Sequence, residues 1–215
     1  MTHALRKLTL PIAALAATLA LASCGTSSSG RAATGTAGAS ISAPAASSTP
    51  APGDKNAADT LFATMMIPHH AQAMAMADLA LNQATNTKVK ALASTIKEAQ
   101  GPEIARMSGW LTGWGAPVPG TAGGAGMSGM SGMDEQTGGM MSTQQMTNLG
   151  AANGPAFDRM WLQMMVTHHQ GAVAMARDTL TQGTNPEARQ LAQAIIDSQS
   201  KEIAEMSSIL AGMPG

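Results

Sequence analysis

The stretch Met65-Met66-Ile67-Pro68-His69-His70-Ala71-Gln72-Ala73-Met74-Ala75-Met76-Ala77 returns 99 residues later as Met164-Met165-Val166-Thr167-His168-His169-Gln170-Gly171-Ala172-Val173-Ala174-Met175-Ala176. The same offset pairs Asp59 with Asp158, Leu81 with Leu180, Asn86 with Asn185, Leu92 with Leu191 and Ile96 with Ile195. It continues through Gln100 and Gln199, Glu103-Ile104-Ala105 and Glu202-Ile203-Ala204, Met107 and Met206, and Leu111 and Leu210. A register kept without a gap over about fifty residues is a duplication. Any fold for this chain must therefore be built from two like halves.

Each copy carries two helical patterns joined by a short polar turn: 57–81 then 87–114, and 154–180 then 186–211, with connectors 82–86 and 181–185. Asn185-Pro186-Glu187 reads as a helix start, a capping residue followed by proline at the first helical position. The expectation is an all-α four-helix bundle made of two duplicated α-hairpins, at 54–115 and 148–215, with a Gly/Met-rich loop at 116–147. At about 1.5 Å per residue the helices would be roughly 35–40 Å long, ordinary for a bundle. A pseudo-twofold bundle of this kind can be completed within one chain or by dimerisation.

Residues 1–23 begin with a basic segment and continue as an uncharged Ala/Leu run, the outline of a secretory signal peptide. The run ends in Leu21-Ala22-Ser23-Cys24-Gly25, which resembles a bacterial lipobox. Lipidation of Cys24 would tether the exported protein to the outer face of the cytoplasmic membrane and accounts for the single cysteine. Residues 24–53 are mostly Ser, Thr, Ala, Gly and Pro with almost no large apolar side chain, so they are expected to form a flexible tether. With one cysteine, the exported domain has no disulfide staple and no thiolate ligand of its own. A net charge of −1 with no Lys/Arg cluster beyond the leader argues against nucleic acid as a partner.

Apart from His3, the four remaining histidines are the two repeated pairs. At 100° per residue Met65, His69 and Met76 fall within about 40° of one another, on the apolar stripe of their helix; Met164, His168 and Met175 repeat this. His70 and His169, with Met66 and Met165, lie further round and are expected on the flanks. On the second helix of each hairpin Gln100, Glu103 and Met107, and likewise Gln199, Glu202 and Met206, fall near the inward face. Imidazoles and thioethers converging in a bundle suit a soft metal ion. A methionine stripe by itself is also an ordinary core filler, so the duplicated His pairs carry the metal expectation. Glu103 and Glu202 have three open roles: flank charges, hydrogen-bond partners orienting the imidazoles, or direct ligands. Gln100 and Gln199 are interior polar groups in need of partners.

In the central loop Met127, Met130 and Met133, then Met140 and Met141, sit among Gly and Ser with little core to fill. Thioethers on a pliable backbone can wrap a two- to four-coordinate soft cation, Cu(I) or its mimic Ag(I). A linker merely biased in composition is the other reading. Residues 142–146 are a candidate short helix leading into the third pattern.

Phe157-Asp158, Met164-Met165, His168-His169-Gln170-Gly171-Ala172 and Met175-Ala176, followed by Gln199, Glu202-Ile203 and Met206, resemble the motif set of the domain of unknown function 305 family. The resemblance implies a ferritin-like four-helix bundle, export, and copper ligation by the four histidines and neighbouring methionines. Pro68, where the second copy has Thr167, and Gly101-Pro102 depart from the second copy and are expected to make the first half less regular. The leading functional expectation is an exported copper(I)-binding lipoprotein for buffering, resistance or handover to a copper-handling protein, and not an enzyme. A metal-free helical interaction module is the alternative. A ferritin-like metal oxidase is disfavoured, since a di-iron site draws on Glu-x-x-His motifs and none is present.

Overall fold

The structure, a computed structural model, describes residues 54–120 and 138–214. Cys24, the leader and tether, and Met127, Met130 and Met133 lie outside the described residues. Five helices follow one another: α1 (Ala57–Gln83), α2 (Thr87–Gly113), α3 (Thr143–Ala151), α4 (Gly154–Gln182) and α5 (Pro186–Ala211). The described chain is an all-α bundle of two hairpins, α1–α2 and α4–α5, joined chiefly through α1 against α4.

Local chemistry explains the helix starts. Asn56 accepts from Asp59 N at 3.0 Å while Asp59 accepts from Asn56 N at 2.9 Å, a reciprocal cap at the head of α1. Asn86 and Asn185 cap α2 and α5, accepting from the amides of Lys88 and of Glu187 and Ala188. Pro155 and Pro186 stand at the opening positions of α4 and α5, where an N–H would have no helical partner. Ser142 and Gln145 form a second reciprocal cap. It starts α3 inside the stretch expected as loop, and α3 ends before α4 begins.

One expectation is corrected, that of the flank residues. Pro68 and Pro102 lie inside helices that run on through them, as the patterns 57–81 and 87–114 have it, α1 and α2 each spanning 27 residues. Packing of α1 on both α2 and α4 outweighs the one backbone hydrogen bond a proline removes. His70, His169, Met66 and Met165 are not flank residues; all four are 0% exposed. With neighbours on two sides, α1 and α4 bury far more than a single apolar stripe. The connectors also shorten to 84–86 and 183–185, since the helices extend into the polar turns.

Two apolar clusters result. The first half of α1 packs with the second half of α4, around Phe62, Met66, Ile67, Met107, Leu111, Leu191 and Ile195. The second half of α1 packs with the first half of α4, around Met76, Leu92, Ile96, Phe157, Trp161, Leu162, Met165 and Met206. The helices α1 and α4 thus run antiparallel and cross at mid-length, at His69 and His168; within the second cluster Trp161 Nε1 donates to the Met76 carbonyl at 2.8 Å. Between the two clusters falls the polar layer containing both His pairs.

Each hairpin holds the other's turn. Asp158 on α4 accepts from Thr85 N at 3.0 Å, Thr85 Oγ1 at 2.5 Å and Asn86 N at 2.9 Å in the α1–α2 connector. Asp59 on α1 accepts from Thr184 N at 3.1 Å, Thr184 Oγ1 at 3.2 Å and Asn185 N at 3.0 Å in the α4–α5 connector. Both aspartates are buried, so their carboxylate oxygens depend on these connector amides and hydroxyls for hydrogen bonds. Asp158→Ala would leave the Thr85 and Asn86 amides unpaired and should lower unfolding free energy by about 3 kcal/mol. Urea denaturation followed by circular dichroism measures this; an unchanged midpoint would deny the clasp any share in stability.

Candidate metal centre

The centre is assembled where α1 and α4 cross. His69 and His168 meet as tilted rings, centroids 3.8 Å apart at an interplanar angle of 39°. His70 Nε2 lies 2.7 Å from Glu103 Oε2 on α2, and His169 Nε2 lies 2.6 Å from Glu202 Oε2 on α5. An ionised carboxylate only accepts, so in both pairs Nε2 carries the proton and Nδ1 is the nitrogen left to meet a ligand. Of the roles open to Glu103 and Glu202, these contacts match that of a hydrogen-bond partner to an imidazole.

The fourth contact has no counterpart in the other half. His69 Nε2 donates to the Gly138 carbonyl at 2.9 Å. Gly138 belongs to the end of the methionine-rich segment, which is fastened by Gln72: its amide nitrogen donates to the Met141 carbonyl at 2.8 Å, and its amide oxygen accepts from Met141 N at 2.7 Å. The segment passes over Gly171 on α4, where any Cβ would run into the Gly138 carbonyl. Gly138 and Gly139 both have positive φ, at 85° and 79°, which glycine adopts without strain. Gln72 and Gly171 occupy the same repeat position, offset by 99.

Among the described residues five ring nitrogens in this layer have no hydrogen-bond partner: Nδ1 of His69, His70 and His169, and both nitrogens of His168. Gln100 and Gln199, buried alongside, each keep an unpartnered Oε1. Buried polar atoms are nearly always satisfied, so such a cluster marks a place where a ligand supplies what the protein does not. Among the described residues no three His, Cys, Asp or Glu side chains converge as a metal cage. Imidazole nitrogens with thioether sulfurs fit instead a soft ion of low coordination number.

The methionines divide. Met66, Met76, Met107, Met165 and Met206 are 0% exposed and belong to the apolar clusters. Met65, Met164 and Met175 are half-buried. Met65 and Met175 line one cavity of about 320 Å³ with Gly138, Leu61, Phe62 and Asp178. Gly138 forms part of its wall and also touches His69, so thioethers border the approach to the histidines. Of the loop methionines within the described residues, Met140 is half-buried and Met141 is buried in the apolar cluster. Reasoning on sequence missed Gln72, Gly138 and Gly171. The one available signal was that Gln72 and Gly171 break the match between the copies.

Burial also sets protonation. It lowers the His69 pKa to about 3, helped by His70 and His169 and opposed by the Gly138 hydrogen bond. Burial likewise pushes His168 well below its ordinary value, helped by His69, His169 and His70. The backbone of His69 opposes this slightly, yet neither ring nitrogen of His168 makes a hydrogen bond. Both rings are therefore neutral at pH 7 and open to metal. In the unfolded chain they gain a proton near pH 6.5 while the folded ones stay neutral, so stability is full above pH 6.5 and falls as pH drops toward 3. Thermal unfolding at stepped pH should show that decline, and a His69→Gln/His168→Gln variant should flatten it.

Comparison with known proteins agrees with this architecture. The chain matches the family described as Domain of unknown function (DUF305) over residues 59–210. A Streptomyces coelicolor protein of that family, predicted to be secreted, has a crystal structure that is 30% identical in sequence; the match has a TM-score of 0.62 and covers 72% of this chain and 91% of that one. CopM in its Cu(I)-bound form is 34% identical, with a TM-score of 0.58 over 73% of this chain and 98% of CopM, and Cu(II)-bound and Ag-bound forms of CopM match similarly. The uncharacterised protein L153 of Acanthamoeba polyphaga mimivirus is 42% identical over 53 residues, 25% of this chain and 35% of that protein. Copper binding thus occurs among proteins of this fold, and with a match spanning residues 59–210 this chain belongs to the DUF305 family.

Proposed function

We infer that this protein binds Cu(I) outside the cytoplasm, through neutral imidazoles at the helix crossing and thioethers around them, for copper buffering, resistance or handover. One observation carries this: five unpartnered ring nitrogens are buried in one polar layer. Neutral imidazole and thioether are the donors a soft monovalent ion prefers, and the likeness to CopM in its Cu(I)-bound form supports that ion. His69, His70, His168 and His169 would hold it, with Met65 and Met175 bordering its approach. A site of such ligands binds and releases cargo rather than turning over a substrate. Lipidation at Cys24 and anchoring outside the cytoplasmic membrane belong to the same proposal; no described helix is long and apolar enough to cross a membrane.

An anaerobic Cu(I) titration of the full chain against a chromophoric competitor tests this. Tight binding should be lost when His69, His70, His168 and His169 are all changed to alanine. Binding that survives would move the site to the methionines, and no binding by either protein would favour a metal-free interaction module. Glu202→Gln, which weakens the hold on His169, should reduce Cu(I) affinity by about 10–100-fold with the fold intact. An affinity equal to wild type would reduce Glu202 to a surface charge.

A further inference from the structure

The two halves of the centre have the same histidines but not the same support. In the first half both rings are oriented from outside, His69 by the Gly138 carbonyl and His70 by Glu103. In the second half His169 has Glu202, while among the described residues neither ring nitrogen of His168 has a hydrogen-bond partner of good geometry. The difference originates at one repeat position. Gln72 grips the Met141 backbone through two bonds, and Gly171, its equivalent 99 residues on, leaves room for the Gly138–Gly139 peptide against α4. A side chain at 171 and a backbone segment at 138 cannot occupy that space together.

We propose that Gln72 and Gly171 are positioning residues, which seat the Gly138 carbonyl on His69 so that His69 is the fixed ligand, offering Nδ1, and His168 is the ring that turns to complete the site. A carbonyl only accepts, so the bond to Gly138 places the His69 proton on Nε2 and frees Nδ1 for a metal. The rings of His69 and His168 lie 3.8 Å apart, centroid to centroid. A ring nitrogen binds a metal at about 2 Å along the lone pair in its ring plane, so two rings tilted against each other share an ion only from their edges, and the ring with fewer anchors is the one that adjusts. His69 is held at its far nitrogen, and His168 is held at neither. The chain thus builds two unequal ligands from a duplicated pair, by laying one crossing segment over one side of the duplication. This requires the soft-metal function proposed above and specifies which atoms perform it.

The test is nitrogen-15 NMR of the histidine rings in the full-length protein, before and during titration with silver nitrate, whose Ag(I) is diamagnetic and stable in air. The metal-free wild type should show His69 protonated at Nε2, and Ag(I) should move the His69 Nδ1 resonance. Gly171→Ala displaces the Gly138 peptide, and Gln72→Ala releases Met141. Each should mix the His69 tautomers and weaken Ag(I) binding by about 10–100-fold, with the His169 tautomer and the circular dichroism spectrum unchanged. A wild-type His69 protonated at Nδ1, Ag(I) bound at His69 Nε2, or variants that keep the wild-type tautomer and affinity would each overturn the proposal. The wild-type measurement decides it even if a variant fails to fold. Ag(I) that moves no ring resonance in wild type is a different result, since it would overturn the soft-metal function itself.

Discussion

The antiparallel crossing of α1 and α4 at mid-length is the constraint from which the other features follow. Two copies of one hairpin, related by a pseudo-twofold axis, must place like residues symmetrically about that axis. Residues near the middle of each first helix then meet their own counterparts. His69 therefore faces His168, and the polar layer divides the interior into two apolar clusters instead of lying at one end. Four imidazoles and two glutamines buried between apolar layers are costly to folding. The protein satisfies part of that demand through Glu103, Glu202 and Gly138 and leaves a definite set of nitrogens over. Stability and the proposed uptake of a soft ion would be opposed here, since both would reside in the same layer.

A segment outside the duplicated helices breaks the symmetry. It can cross a twofold axis in only one direction, so it touches one copy with Gly138 and Met141 and passes over the other at Gly171. Met76 and Met175 are equivalent by repeat, yet one is sealed in an apolar cluster and the other borders a cavity beside Gly138. The inequality is local to this strip, because the two carboxylate–imidazole pairs remain alike within about 0.1 Å.

Much of this was legible in the residues. The offset of 99 gave the two hairpins, and asparagine caps followed by proline located helix starts such as Asn185-Pro186. Helical periodicity placed His69 and His168 inward, and the spacing of Glu103 and Glu202 put them within reach of imidazoles. Burial of His70 and His169 was not legible, since periodicity reports one apolar face and α1 and α4 are covered on two. Continuity through Pro68 was legible, since the helical pattern 57–81 already ran across it. The contact between Gly138 and His69 joins residues far apart in sequence with no motif at either end. Asp59 and Asp158 stood out only as matched positions, since a clasp between hairpins has no signature within either hairpin.

Those aspartates bear on how the molecule is put together. Because Asp59 holds the turn of the second hairpin and Asp158 the turn of the first, neither hairpin contains the acceptor for its own connector. The contact is self-complementary in the manner of an isologous dimer, folded into one polypeptide. A lone hairpin would satisfy its turn only by embracing a second copy of itself. The linkage between the halves supplies what two identical chains would lack: a single crossing strip, and with it a left and a right side to the histidine layer.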